Sequence, residues 1–185
     1  MIDYIREIQD FLVWCQPRLE EVFDAGGARE VWLQGEAYRY FRFHRAAGPL
    51  GLCTNAHNKN DLVFYKNDEA EEPDAVMEIK LYGLAYLLKN LTGHHSLTPY
   101  RKPSDDGRFL FLPRHAAKCH PKEGSILKDY RKLLGQSGRR FLLLILNTGQ
   151  PANDFGKAIQ IVDFGGPGRT VLRTGKCSAT VWEIA

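Results

Sequence analysis

The fold of this chain is decided by the stretch Pro73-Asp74-Ala75-Val76-Met77-Glu78-Ile79-Lys80. Its second half is typical of a β-strand, in which alternate side chains point to the same side. Glu78 and Lys80 therefore share one face of the strand, while Met77, Ile79 and Leu81 occupy the other face. A carboxylate and an ammonium group on one face need only a second acid, one strand away, to form a metal site with its own cation.

A second strand is predicted upstream, from Asp61 to Lys66, because this segment is rich in Val, Phe and Tyr. The acidic turn at 67–73 joins the two segments, so we expect them to pair as a hairpin. Neighbouring strands lie only ~4.8 Å apart, which would bring Asp61 close to Glu78 and Lys80. Asp61 and Glu78 could then share one divalent ion, with the backbone carbonyl of Ile79 as a third oxygen ligand.

Asp74 is a poorer partner for Glu78, although it stands in a conspicuous Pro-Asp pair. Residues four apart in a strand are separated by roughly 13 Å. One metal ion, with its oxygen ligands at about 2–2.5 Å, cannot reach both side chains. We therefore expect Asp74 only to end the turn.

The bulk composition is that of one globular domain. The chain has 185 residues, 44% of them hydrophobic, and a net charge of +3, which by itself does not indicate a nucleic-acid binder. The four cysteines are far apart and form no CxxC pair, which favours a reducing cytoplasm over a disulfide framework. The charged start is unlike a signal peptide, and no apolar run approaches the ~20 residues of a membrane span.

The order of elements predicts a mixed α/β fold, with a mixed central sheet flanked by helices and a helical N-terminus. Residues 3–24 are expected to be helical, with Pro17 either kinking the helix or starting a second one. Three further elements frame the hairpin, namely a helix at 28–45, a helix from Ser125 to Leu134 and a buried strand from Phe141 to Asn147. Weaker patterns predict a helix at 84–91 and strands at 50–54, 109–112, 158–164, 170–173 and 180–184. We divide the single domain 1–185 into an N-terminal helical segment (1–27), a core (28–147) and C-terminal strands (148–185).

These pieces resemble the PD-(D/E)XK nuclease superfamily. Asp61 is followed, after sixteen residues, by Glu78-Ile79-Lys80. The preceding helix carries Glu36 within Trp32-Leu33-Gln34-Gly35-Glu36-Ala37-Tyr38, and members of the superfamily often have a glutamate on that helix. The helix and strand at 125–147 also fit the order of the family core, so the resemblance covers 28–147.

The resemblance implies a restriction-endonuclease-like fold and a hydrolase that cleaves phosphodiester bonds. Asp61 and Glu78 would bind Mg²⁺ or Mn²⁺ together with the Ile79 carbonyl, and Lys80 would position or help to deprotonate the attacking water. Glu36 would bind a second metal ion or hold Lys80 in place. A metal-bound water is more acidic than free water, and the ion offsets charge in the transition state. A lysine between carboxylates has a raised pKa, which counts against Lys80 as a free base.

Basic side chains are the predicted contacts to a nucleic acid, with DNA favoured over RNA. Arg39, Arg42 and Arg45 recur at three-residue spacing, so they roughly share one face of the second helix, among Tyr38, Tyr40 and Phe43. Arg101 and Lys102 are further candidates. Such contacts supply affinity and salt dependence rather than sequence choice.

Two other functions are compatible with the same residues. The chain could keep the nuclease fold but act as a catalytically silent binding or regulatory protein. It could also be a small partner or immunity-type interaction protein, in which Glu78 and Lys80 belong to a solvated surface. For any of these three functions, the long N-terminal helix could form a homodimer interface.

Overall fold

A six-stranded mixed sheet organises the part of the chain that the structure describes. The structure is a computed structural model, and it describes residues 1–24, 29–56, 60–67, 69–83, 125–147 and 168–185. The strands are β1 (Gly51–Ala56), β2 (Asn60–Tyr65), β3 (Ala75–Gly83), β4 (Arg139–Asn147), β5 (Arg169–Arg173) and β6 (Cys177–Ile184). Their spatial order is β1-β2-β3-β4-β6-β5. Only the β3–β4 pair is parallel among these strands.

The predicted hairpin is confirmed. Strands β2 and β3 pair antiparallel, with Leu62 opposite Met77 and Phe64 opposite Ala75. Strand β3 then pairs in parallel with β4, from Ala75 opposite Arg139 to Gly83 opposite Asn147. Strand β3 therefore lies inside the sheet with a neighbour on each side. The sequence had predicted this mixed α/β architecture.

Helices cover the two faces of the sheet. They are α1 (Tyr4–Asp24), α2 (Arg29–Arg39), a π-helical turn (Tyr40–His44) and α3 (Ser125–Leu134). Helices α1 and α2 share one apolar cluster with Met77, Ile79 and Leu81 of β3. Helix α3 contacts β3, β4 and β6, and its side chains reach Glu78 and Lys80 on the opposite face. The alternation of side chains along β3 thus directs Glu78 and Lys80 towards α3 and its apolar residues towards α1 and α2, and the long Lys80 side chain also reaches Glu30 of α2.

Two helices differ from the sequence prediction at particular residues. Helix α1 continues through Pro17, which costs the hydrogen bond to the carbonyl of Val13, but Val13 lies on the exposed face where water can reach that carbonyl. The second helix was predicted to reach residue 45, but α2 ends at Arg39 and the chain continues as the π-helical turn. The N–H of Arg45 donates to the carbonyl of Tyr40 at 2.9 Å, which closes this wider turn.

Asp74 joins three parts of the fold. Its carboxylate accepts the Tyr4 hydroxyl at 2.8 Å, its N–H donates to the carbonyl of Phe64 at 2.8 Å, and its own carbonyl accepts the N–H of Arg139 at 3.0 Å. The residue therefore ties α1, the hairpin and the start of β4 together. Its position at the end of the turn is the one that the sequence predicted.

Several predicted elements and residues lie outside the described residues. They are the helix at 84–91, the strands at 109–112 and 158–164, and the basic pair Arg101 and Lys102. Among the helices that the structure describes, none combines the length and the apolar character needed to cross a lipid bilayer.

Replacing Gly138 with alanine is expected to destabilise the fold by about 1–3 kcal/mol. The residue has a φ of 77°, and an added Cβ would lie 2.8 Å from the carbonyl oxygen of Pro73, at the point where β3 and β4 begin. Urea unfolding of the Gly138→Ala variant measures the effect. Gly175→Ala is the matched control, because an added Cβ there meets no atom within 4 Å. Equal unfolding midpoints for Gly138→Ala and Gly175→Ala would contradict the requirement for glycine at position 138.

Candidate active site

Asp61 is fixed by two hydrogen bonds at the start of the hairpin. Its Oδ1 accepts the side-chain amide of Gln34 at 2.8 Å, and its Oδ2 accepts the backbone N–H of Ile79 at 2.7 Å. The β2–β3 register, continued by one residue beyond Leu62 and Met77, sets Asp61 opposite Glu78. The structure therefore places Asp61 across the hairpin from the Glu78-Ile79-Lys80 segment, where the sequence predicted it.

Glu78 is a buried acid with a cationic partner. The residue is only 2% exposed, and its Oε1 lies 2.5 Å from Nζ of Lys132 on α3. Burial, and next the negative charge of Asp61, raise the pKa of Glu78 to about 7, and the Lys132 ammonium offsets only part of that rise. At neutral pH this carboxyl group is therefore poised between its protonated and charged forms.

Lys80 lies between two carboxylates. Its Nζ is 2.9 Å from Oδ2 of Asp129 on α3 and 3.3 Å from Oε2 of Glu30 on α2, and the residue is 8% exposed. Burial alone would lower the pKa of Lys80, but the charges of Asp129 and Glu30 outweigh burial and hold the pKa above its ordinary value. Lys80 is therefore a fixed ammonium donor and not a neutral base, as the sequence had indicated.

Four residues that the sequence reasoning missed complete this ion network. Glu30 and Gln34 lie one turn apart on α2, while Asp129 and Lys132 are three apart on α3. Residues at these spacings share one side of a helix. This spacing was the signal available in the sequence, but it does not reveal which side of each helix faces the sheet.

Glu36 occupies a different position from the one predicted. Its Oε2 accepts the Nε–H of Arg18 of α1 at 3.0 Å, and the two side chains form an ion pair in which Nη2 is 2.9 Å from the same oxygen. At about 100° per residue, Glu36 is turned by roughly 240° around the helix from Glu30, whereas Gln34 is turned by only about 40°. The contact to Lys80 that was predicted for Glu36 is therefore made by Glu30.

A second chain of contacts fixes α3 beside Asp61. The side chain of Asn60, which is fully buried, donates to Oε1 of Gln136 at 3.2 Å. Gln136 in turn donates to the carbonyl of Lys132 at 3.3 Å. The residue that precedes Asp61 is thus linked to the last turn of α3, so the two sides of the site are held at a fixed separation.

The site has an excess of negative charge. Four carboxylates interact electrostatically with one another and with two lysines; they belong to Glu30, Asp61, Glu78 and Asp129. Burial, and next the remaining acids, raise the pKa of both Glu30 and Asp129, although Lys80 opposes both shifts. Oxygen donors with unbalanced negative charge fit a hard divalent cation. Within the described residues, however, no group of three or more His, Cys, Asp or Glu side chains is arranged to hold a metal ion.

The predicted basic contacts separate into two groups. Arg45 is occupied within the fold, since Glu7 accepts its Nε at 2.8 Å and its Nη2 at 2.7 Å, and the carbonyls of Ala47 and Gly48 accept Nη1. Arg39 is exposed at the end of α2, with its guanidinium 5.8 Å from the centroid of the Trp14 ring, and Arg42 is half-buried in the π-helical turn. Because Arg45 lies beyond the last helical residue, the three arginines do not form the single helical face that was predicted.

The comparisons with known proteins add no relative. No family model matches this chain, and neither a curated protein nor a solved structure shows significant similarity to it. The resemblance to the PD-(D/E)XK superfamily therefore stays a prediction from the sequence. The assignment of a function to the site depends on the positions and charges of its own residues.

Replacing Glu78 with glutamine is expected to stabilise the metal-free protein above pH 7 by about 3 kcal/mol and to have little effect below pH 4.5. Between the ordinary pKa of 4.5 and the folded value of about 7, the folded wild type retains a proton that the unfolded chain releases. Wild-type stability therefore falls as the pH rises through this window, and the variant lacks this loss.

Urea unfolding in EDTA at pH 4.5, 6 and 8 measures this difference. Glu72→Gln is the control, because Glu72 is an exposed acid of the turn between β2 and β3. Stability curves that remain parallel for Glu78→Gln and the wild type across these pH values would contradict the raised pKa.

Proposed function

We propose that this protein is a divalent-metal-dependent nuclease of the PD-(D/E)XK type that hydrolyses phosphodiester bonds. The observation that supports the proposal most is the hydrogen bond from the N–H of Ile79 to Asp61, at 2.7 Å. It brings the first acid of the motif to the strand segment that contains Glu78 and Lys80. Three residues that the motif requires are thereby adjacent although Asp61 and Glu78 are far apart in the chain.

The order of the secondary structure supports the same proposal. Helix α2 precedes three antiparallel strands, and α3 leads into β4, which pairs in parallel with β3. The preceding helix, the hairpin and the helix–strand unit at 125–147 are the elements on which the resemblance to the superfamily was based. A restriction-endonuclease-like fold is accordingly part of the proposal.

Asp61 and Glu78 are the residues that would hold Mg²⁺ or Mn²⁺, with the Ile79 carbonyl as a third oxygen. When bound, the ion would make a water molecule more acidic and offset negative charge on the phosphate. Lys80, kept as an ammonium group by Glu30 and Asp129, would donate hydrogen bonds to the nucleophile or to a phosphate oxygen. Gln34 would keep the Asp61 carboxylate in one orientation through its hydrogen bond to Oδ1.

Nucleic acid is the proposed partner, and DNA is favoured over RNA as in the sequence analysis. Arg39 and Arg42 would contact phosphates, which is a sequence-independent contribution to affinity. A reducing cytoplasm is the proposed location, because the three cysteines that the structure describes, Cys15, Cys53 and Cys177, are free thiols. Dimerisation through α1 has less support, since its apolar side is already buried in the core of one chain.

The alternative function is a catalytically silent binding or regulatory protein with the same fold. The observation that favours it is the pairing of Glu78 with Lys132 and of Lys80 with Asp129, which gives each charged group a partner within the chain. Such buried pairs also occur as purely structural features. Metal binding separates the two functions, because the silent protein has no requirement for it.

Asp61→Asn, Glu78→Gln and Lys80→Met are each expected to lower cleavage by about 10²–10³-fold, because each removes a group that acts on the reacting phosphate. Supercoiled plasmid, single-stranded DNA and RNA are incubated with Mg²⁺ or Mn²⁺, and the products are followed on gels. Glu72→Gln and Lys176→Met are controls at exposed positions outside the site. Wild-type cleavage that persists in all three site variants would refute the assignment.

Replacing Lys132 with methionine is expected to raise Mg²⁺ affinity by about 5–10-fold at pH 8.5. The Lys132 ammonium contacts the oxygen of Glu78 that a cation would use, and an ion pair of about 1 kcal/mol must be broken before the metal binds. The high pH keeps Glu78 charged after its cationic partner has been removed. Isothermal titration calorimetry measures the affinity.

The matched control for this titration is Lys176→Met, which removes an exposed ammonium away from the site. Asp61→Asn is the second reference and should lose binding. If Lys132→Met binds Mg²⁺ no more tightly than the wild type while Asp61→Asn loses it, Lys132 does not compete with the metal.

A further inference from the structure

A separate pocket lies at the outer edge of the sheet, between the end of α2, strand β1 and the turn that follows β2. Its volume is about 310 Å³, and its walls include Tyr38, Arg42, Leu52, Tyr65, Asn67 and Glu71. A pocket of this size is at the lower end of the range for small-ligand sites. None of the ion network around Lys80 lines it, so it is a distinct feature of the surface.

The pocket has an aromatic rim that is open to solvent. Tyr38, which lines the pocket, is 42% exposed, and its ring packs edge to face against the neighbouring Phe43, which is 72% exposed, with centroids 6.2 Å apart. Large exposed rings that adjoin a cavity offer a surface for stacking, and every nucleobase has a π-face that can stack on an aromatic ring. Tyr65 contributes a third ring to the wall.

The polar groups of the pocket can bind the phosphate of a nucleotide and the polar edge of its base. Arg42 supplies a guanidinium group, which pairs with phosphate oxygens in a planar, two-pronged geometry. Asn67 and Glu71 lie in the same wall and can bond to the polar edge of a base. The N–H of Glu69 donates to Oδ1 of Asn67 at 3.2 Å, which fixes the orientation of the Asn67 amide.

A glycine keeps the pocket open. A Cβ added at Gly51 would lie 3.0 Å from the Cβ of Tyr65 and 3.1 Å from the carbonyl oxygen of Asn67. Both contacts are with groups that line the pocket. Alanine at this position would push β1 away from the turn or fill part of the space.

We propose that this pocket binds one nucleotide of a single nucleic-acid strand, with its base stacked on Tyr38 and its phosphate paired with Arg42. The proposal rests on the nuclease function proposed above, for which it supplies a substrate subsite. Tyr65 and Asp61 lie on the same face of β2, four residues or about 13 Å apart. At about 3.4 Å per stacked nucleotide, the pocket would hold a nucleotide about four positions from the phosphate that is cleaved.

Fluorescence anisotropy with a labelled single-stranded oligonucleotide in EDTA tests the pocket without any cleavage. Tyr38→Ala is expected to weaken binding by about 5–150-fold, since loss of one stacking ring costs about 1–3 kcal/mol. Tyr38→Trp should retain the affinity. Arg42→Gln should weaken binding and reduce the slope of log affinity against log salt concentration by about one unit. Tyr38→Ala should leave that slope unchanged.

Val13→Ala is the matched control, because Val13 is another exposed apolar residue on a helix, remote from the pocket. Binding of Tyr38→Ala within twofold of the wild type, or no binding of the oligonucleotide by the wild type, would overturn the proposal. If a free nucleoside monophosphate binds as tightly as the oligonucleotide, the ligand is not a nucleic-acid strand and the proposal is wrong on this point. The outcome is independent of catalysis: Tyr38-dependent binding without any cleavage would support the pocket while refuting the nuclease.

Discussion

The hydrogen bond between the N–H of Ile79 and the carboxylate of Asp61 is the contact on which the candidate site depends. At this end of the hairpin, a backbone N–H of β3 donates to a side-chain carboxylate of β2. Gln34 holds the other oxygen of that carboxylate from α2. Because both oxygens have a donor, Asp61 has one orientation, and that orientation places its negative charge beside the buried acid Glu78.

Burial of that charge explains the surrounding network. A buried carboxylate is costly unless it is paired, and both α2 and α3 contribute ions to the pairing. Lys132 of α3 neutralises part of the charge of Glu78, while Lys80 of β3 is held by Glu30 and Asp129. The acids still outnumber the lysines, so part of the negative charge stays unbalanced within the network.

The sequence predicted the parts of the site that follow from local periodicity. Alternation along the strand assigned Glu78 and Lys80 to one face, and the acidic turn implied the hairpin that brings Asp61 to them. The rotation of a helix about its own axis depends on packing that is remote in the chain. The contact predicted between Glu36 and Lys80 is absent for this reason, because Leu33 and Ala37 of α2 enter the core and turn Glu36 towards Arg18. The contacts of Asp129 and Lys132 were beyond prediction for the same reason.

The contacts of the ion network join residues that are distant along the chain. Gln34 and Asp61 are separated by 27 positions, Glu30 and Lys80 by 50, and Glu78 and Lys132 by 54. During synthesis, the segment containing α3 emerges after the hairpin, and long-range contacts form late because chain closure costs entropy. A partly made chain would expose Glu78 without Lys132 and Lys80 without Asp129. The network is therefore completed only by the docking of α3, which makes the arrangement of these charges a consequence of the finished fold.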